Sequence, residues 1–326
     1  MIISRTPMRV SFAGGGSDLS VYYQQTPGIV LSTAIDRYIY ITVNKMFDDK
    51  IRVSYSTTEI VDCVDDLKHN IIREALKIVG ISHGVEVVYM GDIPIGNAGI
   101  GLGSSSSLAV GVLNALYAFK GMHVSAERLA REACQIEIEI LGHPIGKQDQ
   151  YIAAYGGINT IQFNQDESVF VDPVIFTRQT KAALQGKLMM FFTGLVRISS
   201  DILAEQKGNI RDNKTFLDKM VGLARVMRES LVANEFDRVG EILHAGWMCK
   251  RNLASTISCT SIDEDYQRAM DAGAIGGKIL GAGGGGFLLF YCDEEKQASV
   301  RQALSHLKET PFNFEPQGSK IIHLSD

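Results

Sequence analysis

The sequence predicts an α+β protein in two halves that meet near residue 180. Three observations lead there. The chain has 326 residues, more than one average domain holds and suited to two. Short β-rich runs and longer stretches of helical spacing follow one another along its length, with no internal repeat. The composition also changes near residue 180, where a run of helices begins. Hydrophobic residues make up 45% and charged residues 21%, ordinary proportions for a chain that buries a core.

In the first half, residues 2–13 read as a strand running into the glycines at 14–16. Thr33 and the alternating run 38–45 (YIYITVNK) are β-rich, and 51–55 is a further strand. Residues 67–78 have helical spacing, with Ile71, Ala75 and Ile78 on one side. A strand at 84–90 leads into a glycine loop, and the helix after it puts Leu108, Val112, Leu116 and Phe119 on one face. Ser125 caps the next helix, whose stripe is Leu129, Ala133, Ile136 and Ile140. Gly142 and Pro144 end it. A short helix at 147–154 and a strand at 158–163 follow.

In the second half, 188–192 is a buried-type strand. Helices are expected at 199–207, 214–234, 236–251 and 262–271. Strands at 278–280 and 287–291 flank a second glycine cluster, and a helix at 294–307 and a strand at 320–324 close the chain.

The net charge of −5 argues against a nucleic-acid surface, while leaving room for a local basic pocket. The first residues, MIISRTPMRVSF, carry arginines inside their apolar run and do not read as a signal peptide. The longest apolar run, 287–291, is far too short to span a membrane. Five scattered cysteines without a C-x-x-C pair read as buried free thiols in a reducing cytoplasm. Neither cysteine nor histidine spacing supports a metal site.

Residues 92–107, DIPIGNAGIGLGSSSS, carry the strongest chemical signal. Glycines at 96, 99, 101 and 103 let the backbone come close to a ligand. The helix start that follows offers unpaired N–H groups and a partial positive charge, which together suit phosphate. The hydroxyls of Ser104, Ser105 and Ser106 could donate to phosphate or ligate Mg²⁺. The competing reading is a flexible loop that merely caps a helix. The spacing is neither a Walker A loop nor a Rossmann fingerprint.

Behind the loop, Glu137 has apolar helical neighbours at 133, 134, 140 and 141. A carboxylate so placed needs a cation, either Mg²⁺ or a lysine or arginine at the core edge. Asp149, in GKQDQY, starts the short helix. It is either a general base for a substrate hydroxyl or a carboxylate interacting with the helix dipole. Arg9 and Lys147 are candidate cations to balance Asp149 or steady a moving phosphoryl group. The glycines at 281–286 suggest backbone approaching a ligand, or else a mobile hairpin.

Three stretches in this order, RTPMRVSFAGGGSD (5–18), the loop at 94–107 and KILGAGGGGFLLFY (278–291), resemble the three motifs of the GHMP kinase superfamily. The likeness covers nearly the whole chain. It implies a two-domain fold: residues 1–180 as an N-terminal ATP-binding and catalytic domain like ribosomal protein S5 domain 2, and 181–326 as a ferredoxin-like C-terminal domain. It also implies ATP and Mg²⁺, with the nucleotide on Gly96, Gly99, Gly101, Leu102, Gly103, Ser104, Ser105 and Ser106. By the same resemblance Ser105 and Glu137 match the Mg²⁺ ligands, Asp149 the catalytic aspartate, Arg9 its basic neighbour and Asp18 a holder of sugar hydroxyls. Gly15, Ser17, Gly283 and Gly284 join Asp18 as expected substrate contacts, and Lys147 and Arg197 are candidates for a substrate phosphate.

Two departures from the family pattern matter. The loop between Pro94 and Gly101 is longer than the usual P-x-G-x-G-L-G, and the first motif lacks the G-E-H-T-D of galactokinases. The G-G-G-S-D form with HPIGKQDQY looks like kinases of heptose 7-phosphate, and is also similar to fucokinases. The expected activity is a cytoplasmic sugar 1-kinase acting on a small sugar or sugar phosphate, as a monomer or homodimer, with no nucleic acid or membrane partner. A kinase of a free sugar, an isoprenoid-pathway kinase and a silent sugar or nucleotide sensor are the alternatives.

Overall fold

A computed structural model describes residues 1–93, 100–195, 199–210 and 212–325, with backbone only at 199 and 200. Among these residues the strands are β1 (Ile2–Ala13), β2 (Gly28–Lys45), β3 (Ile51–Ser54), β4 (Thr58–Val61), β5 (Val85–Gly91), β6 (Ile158–Phe163) and β7 (Val169–Pro173). They continue with β8 (Leu188–Phe192), β9 (Gly276–Ile279), β10 (Phe287–Tyr291), β11 (Lys308–Glu309) and β12 (Lys320–Leu324).

The first sheet runs β12-β1-β2-β5-β3-β4, with β6 and β7 added beside the start of β2. β2 is long because it serves two partners on one edge: its residues 28–33 pair with β6 and 39–45 with β5. The β-rich runs noted at 33 and 38–45 are therefore one strand that begins at Gly28. The β1–β2 register shifts between Pro7 and Met8. Proline has no N–H to give a ladder, so a bulge falls there at little cost. Arg9 follows it directly.

β1 is buried on both faces beyond Arg5, because helices cover it from both halves of the chain. Helix Ser104–Phe119 lies on one side, close enough that a β-carbon on Gly111 would meet the Thr6 hydroxyl at 2.7 Å. Helix Lys214–Ala233 contacts β1 and β2, and helix Asp237–Lys250 contacts β1.

The second sheet is antiparallel throughout, in the order β11-β8-β10-β9. With helices between β8 and β9 and between β10 and β11, this is the β-α-β-β-α-β, ferredoxin-like arrangement. The chain then returns: β12 pairs with β1 in the first sheet.

Two helical expectations change. The helix expected at 67–78 is Asn70–Val79, preceded by a 3₁₀ turn at Val64–Asp66. The regular helix expected through 140 stops at Cys134 and continues as a π-helix, Gln135–Ile140. The thiols are also not all buried: Cys63 is exposed, and Cys249 and Cys259 are half-buried. No helix among the described residues is long and apolar enough to cross a membrane.

Candidate active site

Just past the register shift, where the extra residues Asp36 and Arg37 belong to β2, β1 carries Arg9 into the buried centre of the molecule. Its backbone N–H donates to the Leu102 carbonyl at 3.0 Å, tying β1 to the glycine loop. Its guanidinium donates to both Asp149 oxygens, at 2.8 and 2.7 Å, and to the Gly101 carbonyl. This two-point fork fixes the carboxylate's orientation as well as its position. Arg9 is buried and Asp149 keeps 22% of its side chain open, so only the carboxylate reaches solvent space.

Asp149 sits in the first turn of helix Gln148–Tyr155, and its two neighbours bind in other directions. Gln148 accepts from Ser11 at 2.8 Å and Ser32 at 2.9 Å, which anchors the turn to β1 and β2. Gln150 donates to Glu137 at 2.6 Å. One helical turn thus links the strand, the base candidate and the buried carboxylate.

Glu137 is fully buried, and its other oxygen accepts from Ser105 at 2.6 Å. Burial pushes its pKa up, and hydrogen bonds from Ser105, Ser106 and Gln150 pull it part of the way back. It has no lysine or arginine partner within salt-bridge reach among the described residues. Beside it the Gln150 side-chain carbonyl is buried without a hydrogen-bond partner among the described residues.

Helix Ser104–Phe119 begins after Gly103, whose left-handed φ of 72° suits glycine. The first N–H groups of such a helix lack intrahelical partners and favour an anion. A β-carbon on Gly103 would stand 3.1 Å from an Asp149 oxygen, so this cradle adjoins the carboxylate. The Leu102 side chain is in the core, leaving only its backbone near the cradle.

On the other side of Asp149 lies a cleft of about 640 Å³ between the two halves. Arg9, Gly15, Asp18 and Asp149 line it from the first half, and Lys250, Lys278 and Gly281 from the second. Asp18 accepts from the Gly16 N–H at 2.9 Å and the Gln148 N–H at 3.2 Å. Burial, with Asp149 nearby, raises its pKa. Gly146 leaves room for it, since a β-carbon there would lie 2.0 Å from an Asp18 oxygen.

Residues 67–157 match the GHMP kinases N terminal domain and residues 227–309 the GHMP kinases C terminal domain. A D-glycero-α-D-manno-heptose 7-phosphate kinase of Campylobacter jejuni is 31% identical over 98% of both chains. The chain belongs to the GHMP kinases. A solved D-glycero-D-manno-heptose 1-phosphate kinase from Bacteriodes thetaiotaomicron is 25% identical, covers all of both chains and superposes with a TM-score of 0.82. A galactokinase of Pyrococcus furiosus is 26% identical over 93% of this chain and 92% of its own. This GHMP kinase is therefore an ATP-dependent sugar kinase.

Several residues that the sequence marked for the substrate lie elsewhere in this GHMP kinase. The Lys147 ammonium is held by Glu167 and stands 4.9 Å over the Tyr23 ring, away from the cleft. Ser17 is wholly buried; its hydroxyl donates to the Gly14 carbonyl at 2.8 Å and accepts from the Ile29 N–H at 3.1 Å. Gly284 donates to the Ile257 carbonyl at 2.8 Å, and a β-carbon on Gly283 would meet that same oxygen at 2.8 Å. The second glycine cluster therefore gives the cleft Gly281 and Ala282, while its later members pack on protein backbone. Gly96, Gly99 and Arg197 lie outside the described residues. Lys250, Lys278 and the two glutamines, 148 and 150, went unread in the sequence. The two glutamines flank Asp149 at the expected helix start, but nothing in the sequence marks the lysines as buried.

Proposed function

We propose that this GHMP kinase transfers the γ-phosphoryl group of ATP to the anomeric hydroxyl of D-glycero-D-manno-heptose 7-phosphate, giving the 1,7-bisphosphate used in GDP-heptose synthesis. The position of Asp149 supports this best: it borders the helix-start cradle on one side and the acceptor cleft on the other. The similarity to heptose kinases supports the choice of sugar.

In this reading the backbone N–H groups of Ser104, Ser105 and Ser106, with Gly101 and Gly103, receive the triphosphate. Asp18 holds sugar hydroxyls from the cleft floor. Asp149 accepts the proton of the attacking hydroxyl, and Arg9 holds the carboxylate in place and offsets the charge that builds on the moving group. The reaction needs mainly positioning and electrostatics.

The donor set around Glu137 fits Mg²⁺. It consists of a buried carboxylate without a cation partner among the described residues, the Ser105 hydroxyl and the Gln150 carbonyl, also unpaired among them, all oxygens. Among the described residues no cluster of three His, Cys, Asp or Glu forms a metal cage. Magnesium, however, commonly takes one carboxylate and completes its shell with phosphates and water. Ser105 and Glu137 would hold it, and it would neutralise phosphate charge when bound. The enzyme works in the cytoplasm, as a monomer or homodimer. Residues 1–180 act as the nucleotide-binding half and 181–326 as the second, which lends β12 to the first sheet.

A panel of heptose 7-phosphate, free heptose, fucose and galactose with Mg·ATP, read by phosphorus NMR, tests the assignment. The expected product is an anomeric phosphate on heptose 7-phosphate. Turnover of a free sugar alone would refute it.

A further inference from the structure

Two lysines of the second half are buried in the acceptor cleft with no carboxylate within salt-bridge reach among the described residues. Lys250, the last residue of helix Asp237–Lys250, is 7% exposed, and Lys278, in β9, is 5% exposed. Lys278 donates to the carbonyls of Ser11 at 2.9 Å and Phe12 at 3.2 Å. Lys250 donates to Ile279 at 3.2 Å and to Gly281. Among the described residues neither forms an ion pair. An ammonium has three N–H donors, so each retains one, and both side chains line the cleft.

A third cation faces them. Arg9 lies close enough to depress the pKa of both lysines, but its charge is already committed to Asp149. Asp18, also in the cleft lining, accepts from two backbone N–H groups and pairs with neither lysine among the described residues. Burying two such amines is costly unless an anion arrives to pair them. That anion is carried by something that enters the cleft. Of the described residues, none between 100 and 107 lines this cleft, so the lysines stand on the acceptor's side of Asp149 and not in the nucleotide cradle.

We propose that Lys250 and Lys278 form the subsite for a phosphate carried by the acceptor sugar. This rests on the reading of the acceptor as a sugar phosphate and names the groups that select it. The pair takes the place of Lys147, which the structure engages elsewhere. In the empty enzyme, burial, with repulsion from Lys278 and Arg9, lowers the pKa of Lys250 well below the usual lysine range, and burial, with repulsion from Arg9, lowers that of Lys278 to about 7. A phosphate dianion reverses both effects, so its binding draws protons onto the pair.

The test compares kcat/KM for heptose 7-phosphate and for free heptose in the wild type, Lys250→Met and Lys278→Met. The expected result is a preference for the ester in the wild type that falls roughly 10- to 100-fold in each variant, the loss of one charge-assisted contact. A parallel loss for both acceptors, with the ratio unmoved, overturns the subsite and leaves the acceptor reading intact. That pattern would mark the lysines as ties between the halves, or as contacts to the moving phosphoryl group. A wild type without preference for the ester overturns both. Should the wild type take a different sugar phosphate, the choice of heptose fails, and the same ratio on that ester decides the subsite.

Lys278→Met removes a tie to β1 and could fail to fold, so wild-type calorimetry provides an independent measurement. At pH 8 the ester is already a dianion, its second pKa being about 6. Binding heptose 7-phosphate in buffers of different ionisation enthalpy should then show uptake of at least about half a proton, and free heptose much less. Equal uptake for the two sugars overturns the proposal.

Discussion

The backbones of Gly101 and Gly281 touch: a β-carbon on Gly281 would lie 2.4 Å from the Gly101 Cα. The contact joins one glycine motif from each half of the chain. It also sits between two cations, since Arg9 donates to the Gly101 carbonyl and Lys250 to the Gly281 carbonyl. Both glycines have left-handed backbones, with φ of 83° and 66°. Much of the glycine in these motifs is thus explained by backbone meeting backbone at the junction of cradle and cleft.

Gly281→Ala should therefore disturb stability and activity together. The left-handed conformation alone costs a non-glycine residue about 1–2 kcal/mol, and the contact with Gly101 adds a clash with backbone. A thermal midpoint lower by roughly 2–4 °C or more is expected, with a turnover loss of at least about tenfold. A melt and steady-state rates like those of the wild type would show that the two motifs do not need this contact.

Glu137→Gln should separate metal response from stability. With the carboxylate gone, Mg²⁺ should no longer tighten ATP binding, a loss of about tenfold or more in the Mg²⁺-dependent gain. Titrations with and without Mg²⁺ check this, and an unchanged gain would refute it. The pH effect has a definite sign. Because burial raises the folded pKa of Glu137, the folded state keeps a proton that the unfolded state gives up above the usual range near 4.5. Ligand-free wild type thus loses stability as pH rises out of that range, and the glutamine variant is spared that loss. Relative to the wild type, the variant's melting temperature should improve between pH 4.5 and pH 8. No relative change would mean that Glu137 is not held under strain.

How much of this was legible follows from which forces are local. Strand and helix patterns are local, and they read correctly for most of the chain. Glu137 stood out because four apolar residues surround it in a regular helix. Its burial is real, but the π-turn leaves Ile140 46% exposed, and cover comes instead from Ser105 and Gln150. A π-turn depends on tertiary packing and leaves no simple periodic mark. Asp149 was legible as a helix-start carboxylate, and Arg9 as its candidate partner. For Lys147, closeness in sequence does not fix direction: the ammonium goes to Glu167. The buried lysines were illegible for the opposite reason. The carbonyls that Lys278 meets belong to Ser11 and Phe12 at the far end of the chain.

Asp149→Asn tests the base. The amide cannot accept the hydroxyl proton, yet it is nearly the same size and can still meet Arg9. A fall in kcat of about 10²–10⁴ is expected, with a similar fall in kcat/KM. Nucleotide affinity, measured by equilibrium titration, should stay within about threefold, because the cradle is built from other residues. Turnover near that of the wild type would remove Asp149 from the chemistry.

Lys278 sets the last expectation, through the pH dependence of folding. Its folded pKa is about 7 against an ordinary value of 10.5, so from pH 7 to near pH 10 the unfolded chain holds a proton that the folded chain has released. Stability rises with pH wherever the unfolded state binds more protons. Each such lysine adds a slope of at most about 1.4 kcal/mol per pH unit. Lys250, lowered in the same direction by burial, adds a slope of the same sign. Tyrosines raised by burial, such as Tyr89 at about 12, pull stability down only above pH 10, where the unfolded phenol ionises first. Denaturant titrations of ligand-free wild type and Lys278→Met at pH 7 and pH 9 isolate the term. Whatever fixed amount the methionine costs by leaving the Ser11 and Phe12 carbonyls unpaired, the wild type should gain on it by roughly 1–2.5 kcal/mol between the two pH values. A constant difference would mean that Lys278 keeps its proton in the empty cleft, already paired with an anion.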